Sequence, residues 1–231
     1  MAYDLRKEED VKKYLHNLGI EYRYGCYSEK NPEICHLLGM YFDVIKKNTE
    51  QAKKVYKVNC DTYKWSQSCY KYAYMLDQER KPESIDEVIN YFLQGCESGL
   101  PKSCYFASVR MGSKAEKNPD LPNRNSVLTK AIDLMNRACD EGLGRACYNL
   151  SSIYYHGIPE INIQKNLQKI LEYSKKGCEF KYINSCTNAS LMYLKGEGTE
   201  KNQELADVFR GKANELFKQM NETGIKFEEN L

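Results

Sequence analysis

The stretch CDEGLGRACYNLSSIYYHG, residues 139–157, decides the fold, because its pair of cysteines recurs along the whole chain. The ten cysteines fall as Cys26/Cys35, Cys60/Cys69, Cys96/Cys104, Cys139/Cys147 and Cys178/Cys186, separated by 9, 9, 8, 8 and 8 residues with none left over. The second members, at 35, 69, 104, 147 and 186, advance by 34, 35, 43 and 39. A period in the thirties to forties marks a solenoid, in which each unit buries its apolar face only against its neighbours.

Aligned on the second cysteine, the units read ICHLLGMYF (34–42), SCYKYAYML (68–76), SCYFASVRM (103–111), ACYNLSSIY (146–154) and SCTNASLMY (185–193). Four residues on stands a small residue (Gly39, Ala73, Ser108, Ser151, Ser190), and seven on a large apolar one (Phe42, Leu76, Met111, Tyr154, Tyr193). These spacings share one helical face, and the small position lets a second helix approach closely. Before each first cysteine a second helical pattern appears at eight, five and one positions: Ala52, Val55; Val88, Tyr91, Gly95; Ala131, Leu134, Ala138; Ile170, Tyr173, Gly177. Each unit is therefore a helix A followed by a helix B. The cysteine pair straddles the junction to the next unit, where segments such as CESGLPKSC and CDEGLGRAC carry a helix-ending Gly.

The last unit keeps Ala206, Phe209 and Ala213 in register, but Asn214 replaces its cysteine, as suits a unit with no successor. The expected class is all-α, an α/α superhelical solenoid of about twelve helices forming a single domain over 1–231. Its parts are an N-terminal cap of helices at 4–31, repeats at about 32–65, 66–101, 102–144, 145–183 and 184–220, and a polar tail at 221–231 that frays. The longest unit contains GSKAEKNPDLPNRN (112–125), where Pro119 and Pro122 predict a loop.

Composition excludes several functions. The chain has 34 Lys plus Arg against 32 Asp plus Glu, a net charge of +2, so no nucleic-acid partner is expected. Its longest apolar runs, such as Tyr72–Leu76, fall far short of the about 18 residues that a membrane span needs. The start, MAYDLRKEEDVKKYL, lacks the apolar core of a signal peptide and the acid-poor composition of a transit peptide, so no cleavable address is expected. Three histidines, His16, His36 and His156, leave little for acid–base or metal chemistry.

Three readings compete for the cysteines. Zinc ligation wants C-x2–4-C spacing or partner histidines, and neither is present. Reduced cysteines serving as small core residues would leave their pairing at junctions unexplained. Structural disulfides fit a staple between consecutive helices, each closing a short loop worth on the order of 2.5 kcal/mol in the chain-entropy model. Such bridges need an oxidising compartment. The mitochondrial intermembrane space, which traps leaderless proteins by oxidising paired cysteines, reconciles the bridges with the expected absence of a presequence.

ACYNLSSIYYHG (146–157) and SCTNASLMYLKGEG (185–198) resemble the Sel1-like repeat, a relative of the TPR. The disulfide-stapled form is similar to the cysteine-rich β-lactamase-like family. With EYRYGCYSEKNPEICHLLG (21–39) included, nearly the whole chain resembles metazoan cytochrome c oxidase assembly factors. That resemblance implies a soluble, monomeric, non-catalytic scaffold of the intermembrane space. It would bind respiratory-complex subunits or other assembly factors, chiefly for complex IV. An alternative also implied is a haem-binding thiol-disulfide reductase acting on copper chaperones, with His36 and His156 as candidate haem ligands. The residues themselves call for no cofactor and no metal. The β-lactamase name points to Ser68-Cys69-Tyr70-Lys71, an S-x-x-K match that lacks the S-D-N and K-T-G motifs of such enzymes.

Solenoids stack helices so that one set lines a concave face, and partner proteins are expected there as extended peptides or helices. Candidates there are Asn149 and Asn188, two after the cysteine, and Tyr70, Tyr105 and Tyr148 in the column one after it, which also holds His36 and Thr187. An Asn amide can bond a peptide backbone, and Tyr offers broad apolar area with a polar tip. Trp65, in the second junction, is either core or an exposed anchor.

Overall fold

The computed structural model describes residues 3–223. The chain divides between Ser103 and Cys104 into two compact units. In the first, α1 (Glu8–Tyr27), α2 (Pro32–Met40), α3 (Thr49–Tyr63), α4 (Ser66–Gln78) and α5 (Ile85–Glu97) each pack on the helix before and after. A π-helical turn, Tyr41–Ile45, extends α2 and carries Phe42 into the core. The second unit holds most of α6 (Pro101–Lys117), then α7 (Arg124–Asp140), α8 (Gly144–His156), α9 (Leu167–Glu179), α10 (Ile183–Lys195) and α11 (Gln203–Thr223). Among the described residues no helix is long and apolar enough to cross a membrane.

The even-numbered helices are the A helices and the odd-numbered ones from α3 onward the B helices. Gly39, Ala73, Ser108, Ser151 and Ser190 are all buried. Their smallness sets the helix spacing: a Cβ on Gly39 would lie 2.4 Å from the ring of fully buried Tyr56 on α3. In the second unit two of the column's three serines also bond across the pair, while Ser151 Oγ donates to the Tyr148 carbonyl of its own helix at 2.7 Å. Ser108 Oγ donates to the Ala131 carbonyl at 2.6 Å, and Ser190 Oγ to the Ala206 carbonyl at 2.7 Å, so a B-helix alanine meets an A-helix serine in both repeats. One turn further, the rings of Tyr154 and Tyr173 stack at 5.6 Å and those of Tyr193 and Phe209 at 5.6 Å.

The expected cysteine pairing holds. Cys26–Cys35, Cys60–Cys69, Cys139–Cys147 and Cys178–Cys186 are closed with Cα atoms 4.5 to 4.8 Å apart. Cys96 and Cys104 are disulfide-bonded as well, and no cysteine is free. The junctions between paired cysteines turn through one left-handed residue each: Lys30, Lys64, Gly99, Gly142 and Lys181. Glycine, expected there throughout, occupies only two of the five. In the last junction, between Cys178 and Cys186, its place is taken by Lys181.

Three further expectations change. Residues 4–31 contribute one long helix, α1: no proline interrupts 8–27, and its buried glycines, Gly19 and Gly25, make room for Tyr41 and Ile34 rather than breaking it, so the described residues hold eleven α-helices. The loop expected at 112–125 shrinks to about half that length. Helix α6 continues through good helix formers to Lys117, anchored by fully buried Ala115, and ends just before Pro119. Arg124 Nε then donates to the Ala115 carbonyl at 3.0 Å and ties the loop back. Of the tail expected to fray, 221–223 is the last turn of α11 and the rest lies outside the described residues.

Candidate partner-binding face

Two of the five candidates meet at one place in the second unit. Tyr148 on α8 and Asn188 on α10 line a pocket of about 240 Å³. Ser151, Ser152 and Tyr155 add to its α8 wall, since positions 148, 151, 152 and 155 share one helical face. Leu167, Ile170 and Met192 form its apolar part, and Glu197 its acidic edge. Ile170 and Met192 belong to the same buried cluster as Cys178 and Cys186, whose bridge staples α9 to α10, so the pocket's apolar floor rests on a covalently fixed helix pair. Asn188 Nδ2 donates to buried Ser174 Oγ at 3.3 Å, which fixes the amide and leaves its carbonyl oxygen without a protein partner.

The other candidates are placed differently. Asn149 Nδ2 donates to Tyr105 Oη at 3.2 Å, so these two residues of α8 and α6 engage each other rather than the pocket. Tyr105 also packs edge-on to Phe106, with centroids 5.3 Å apart. In the first unit Tyr70 lies between Tyr74 and Phe92, at 5.9 and 5.8 Å, with Lys102 Nζ 5.3 Å from its ring centroid. Trp65 is half-buried at the start of α4, and its Nε1 has no partner. The sequence reading missed Tyr155 and Glu197. Tyr155 follows Tyr148 by two helical turns, and Glu197 stands in Gly196-Glu197-Gly198, so both were visible as spacing.

His36 belongs to a buried polar knot in the first unit. Its Nδ1 lies 3.0 Å from Ser68 Oγ, which also accepts from Asn59 Nδ2 at 2.8 Å, and its ring leans on Tyr56 at 5.4 Å. Burial first, and then the charge of Lys71, lowers the His36 pKa to about 4. Ser68 is fully buried, so its contact with His36 gives no acyl-transfer nucleophile a substrate could reach. His156 is exposed at the end of α8, edge-on to Tyr155 at 5.1 Å. Neither candidate haem ligand lines the pocket: His36 is half-buried, its Nδ1 beside Ser68 Oγ and its ring on Tyr56, and His156 is exposed. Among the described residues no group of three His, Cys, Asp or Glu is placed to hold a metal ion.

The Sel1 repeat family matches residues 66–100, 124–143, 144–179 and 183–206. Cytochrome c oxidase assembly factor 7 of Xenopus tropicalis is 38% identical over 224 residues, covering 95% of this chain and 94% of that protein. This chain belongs to the cytochrome c oxidase assembly factor 7 family. The family's Drosophila melanogaster homolog is 34% identical over 250 residues, covering 94% and 92% of the two chains. The Homo sapiens member is 34% identical over 218 residues, covering 94% and 93%. Among solved structures, a Sel1 repeat protein from Oxalobacter formigenes superposes with a TM-score of 0.64 at 18% identity, over 88% of this chain and 82% of that one. A protective antigen of uropathogenic Escherichia coli does so at 0.58 and 15%, over 89% and 49%. Those two likenesses establish the Sel1-type solenoid fold for the family member described here, and the fold alone.

Proposed function

We propose that this chain is a non-catalytic mitochondrial assembly factor for respiratory complexes, chiefly cytochrome c oxidase. The observation that carries the reading is end-to-end likeness, 38% identity across 95% of the chain, to a protein named for that role. Ten paired cysteines, all closed, support residence in an oxidising compartment, which on this reading is the intermembrane space, where the chain acts as a soluble monomer. The chain acts by holding a partner polypeptide on its A helices, where Asn188 and Tyr148 border the pocket and Asn149 is braced by Tyr105. The geometry does not favour the thiol-disulfide reductase alternative, because every paired cysteine is buried, none more than 7% exposed, which restricts the approach of an incoming thiolate.

The test replaces the resident family member in cultured cells with this chain and reads assembled complex IV on native gels. The unaltered chain restores assembly. Asn149→Ala combined with Asn188→Ala keeps the fold and all bridges but lowers assembly several-fold. Failure of the unaltered chain to restore complex IV overturns the reading.

A further inference from the structure

We propose that the pocket bordered by Tyr148, Tyr155, Asn188 and Glu197 is a subsite for one basic side chain, arginine or lysine, of the partner polypeptide. This rests on the partner-binding reading above and adds the chemistry of what is bound.

The lining has the composition such a side chain requires. Its only charged residue is a carboxylate, Glu197, and it includes no Lys, Arg or His. Asn188 contributes a carbonyl oxygen with no protein partner, and Ser152 an exposed hydroxyl. Tyr148 and Tyr155 contribute aromatic rings, which attract cations, as the Lys165 ammonium 4.5 Å from the Tyr155 centroid shows. Ile170 and Met192, each 4% exposed, offer an apolar surface for the aliphatic stem. The lining itself offers an anionic ligand no cation, and the two at its rim, Lys165 and Lys195, are engaged by the Tyr155 ring and by Glu197. About 240 Å³ is below the range of pockets that enclose whole small-molecule ligands and suits one extended side chain.

The acidic edge is built into the backbone. Glu197 stands between Gly196 and Gly198, with φ of 76° and 74°. Its N–H donates to the Met192 carbonyl at 3.0 Å. A Cβ at Gly198 would lie 2.4 Å from the Leu167 carbonyl oxygen, so the loop is pressed onto the start of α9 and only glycine fits there.

The rim already holds a cation of its own. Lys165 Nζ lies 4.5 Å from the centroid of the Tyr155 ring. It reaches there from the loop between α8 and α9, which the pairing of Ile158 with Ile163 closes. Lys195 lies 4.0 Å from Glu197, but both side chains are about half exposed, and so loose a pair yields readily to a better-placed cation. The net charge of +2 gives basic peptides no general attraction to the protein, so binding of one reports a local site.

The test titrates the oxidised full chain, labelled for amide NMR, with the peptide acetyl-Gly-Arg-Gly-amide and with its citrulline counterpart, which has nearly the same shape and no charge. The arginine peptide shifts the signals of Asn188 and of residues 196–198 saturably, and the citrulline peptide binds about tenfold more weakly. Glu197→Gln, an exposed change that leaves the bridges intact, weakens the arginine peptide about fivefold. Equal binding of both peptides, or shifts confined to other residues, overturns the subsite. Loss of assembly in the doubly substituted asparagine variant without arginine binding sinks the subsite and spares the assembly role. Arginine binding at the pocket with unimpaired assembly in that variant upholds the subsite and removes the asparagine face from the assembly role.

Discussion

His36 shows how burial decides what a chemically capable residue does. Its ring is enclosed by Tyr56 and Ser68, and its pKa of about 4 lies below the usual 6.5. Between those values the unfolded chain binds a proton that the folded chain refuses, so stability rises with pH through the window. The contribution is complete above about pH 6.5 and is lost as pH falls toward 4. Denaturant midpoints at pH 7 and at pH 4.5 should therefore draw closer together in His36→Gln than in the unaltered chain. An identical acid loss in both would show that His36 titrates normally. The sequence marked His36 and Ser68 because their types carry chemistry, and it could not reveal that 32 residues of chain bring them into one closed seam. The cysteines were legible for the opposite reason, since each partner lies 8 or 9 residues away and spacing alone nearly fixes geometry.

Helix ends follow a shared rule that the residue types partly hide. Where α5, α7 and α9 stop, the same two backbone bonds recur. Gly99, Gly142 and Lys181 donate to the carbonyls of Cys96, Cys139 and Cys178, and the next residues, Leu100, Leu143 and Tyr182, to those of Gly95, Ala138 and Gly177. This double closure holds a left-handed residue in place whatever its side chain. Lys181, with this closure, and Lys30, where only the second bond, Asn31 N–H to the Gly25 carbonyl, recurs, are left-handed at φ of 61° and 56°, a conformation unfavourable for a residue with a Cβ. Lys30→Gly and Lys181→Gly should each raise stability by about 0.5 to 1 kcal/mol, less than the full strain because glycine also gains freedom in the unfolded chain. Thermal unfolding of the two variants checks this, and a lower midpoint in both would mean that the lysine stems contribute more than their backbone costs. Periodicity thus announced each A and B helix. It misjudged the end of α6, because Pro119 stops the helix only after Lys117, and the single α1, where Gly19 and Gly25 serve close packing rather than a break.

At the scale of the whole molecule, the bridges connect fold, compartment and function. Each closes a loop of eight or nine residues, on the order of 2.5 kcal/mol in the chain-entropy model, against a folding free energy that is typically about 5 to 15 kcal/mol. A chain so stapled is an assembly scaffold only while oxidised, and a thiol reductase only if one pair opens without unfolding the rest. Burial ranks the pairs. Cys60, Cys69, Cys104, Cys139, Cys147 and Cys186 are fully buried, Cys96 is 1% exposed and Cys178 4%. Cys26 and Cys35, between α1 and α2, are 7% and 4% exposed. Attack by an external thiolate needs access to a sulfur, so Cys26–Cys35 should open first under graded reductant. Protein taken from cells without reduction should accept no alkylating label, and mass mapping at the lowest effective reductant should find labels on Cys26 and Cys35 alone. The remaining pairs should be labelled together with loss of helical signal. Label on a deeper pair while the helices persist would overturn the burial ranking and favour the reductase alternative at that pair, and ten labels at the outset would place the chain in a reducing compartment and remove the basis for residence in the intermembrane space.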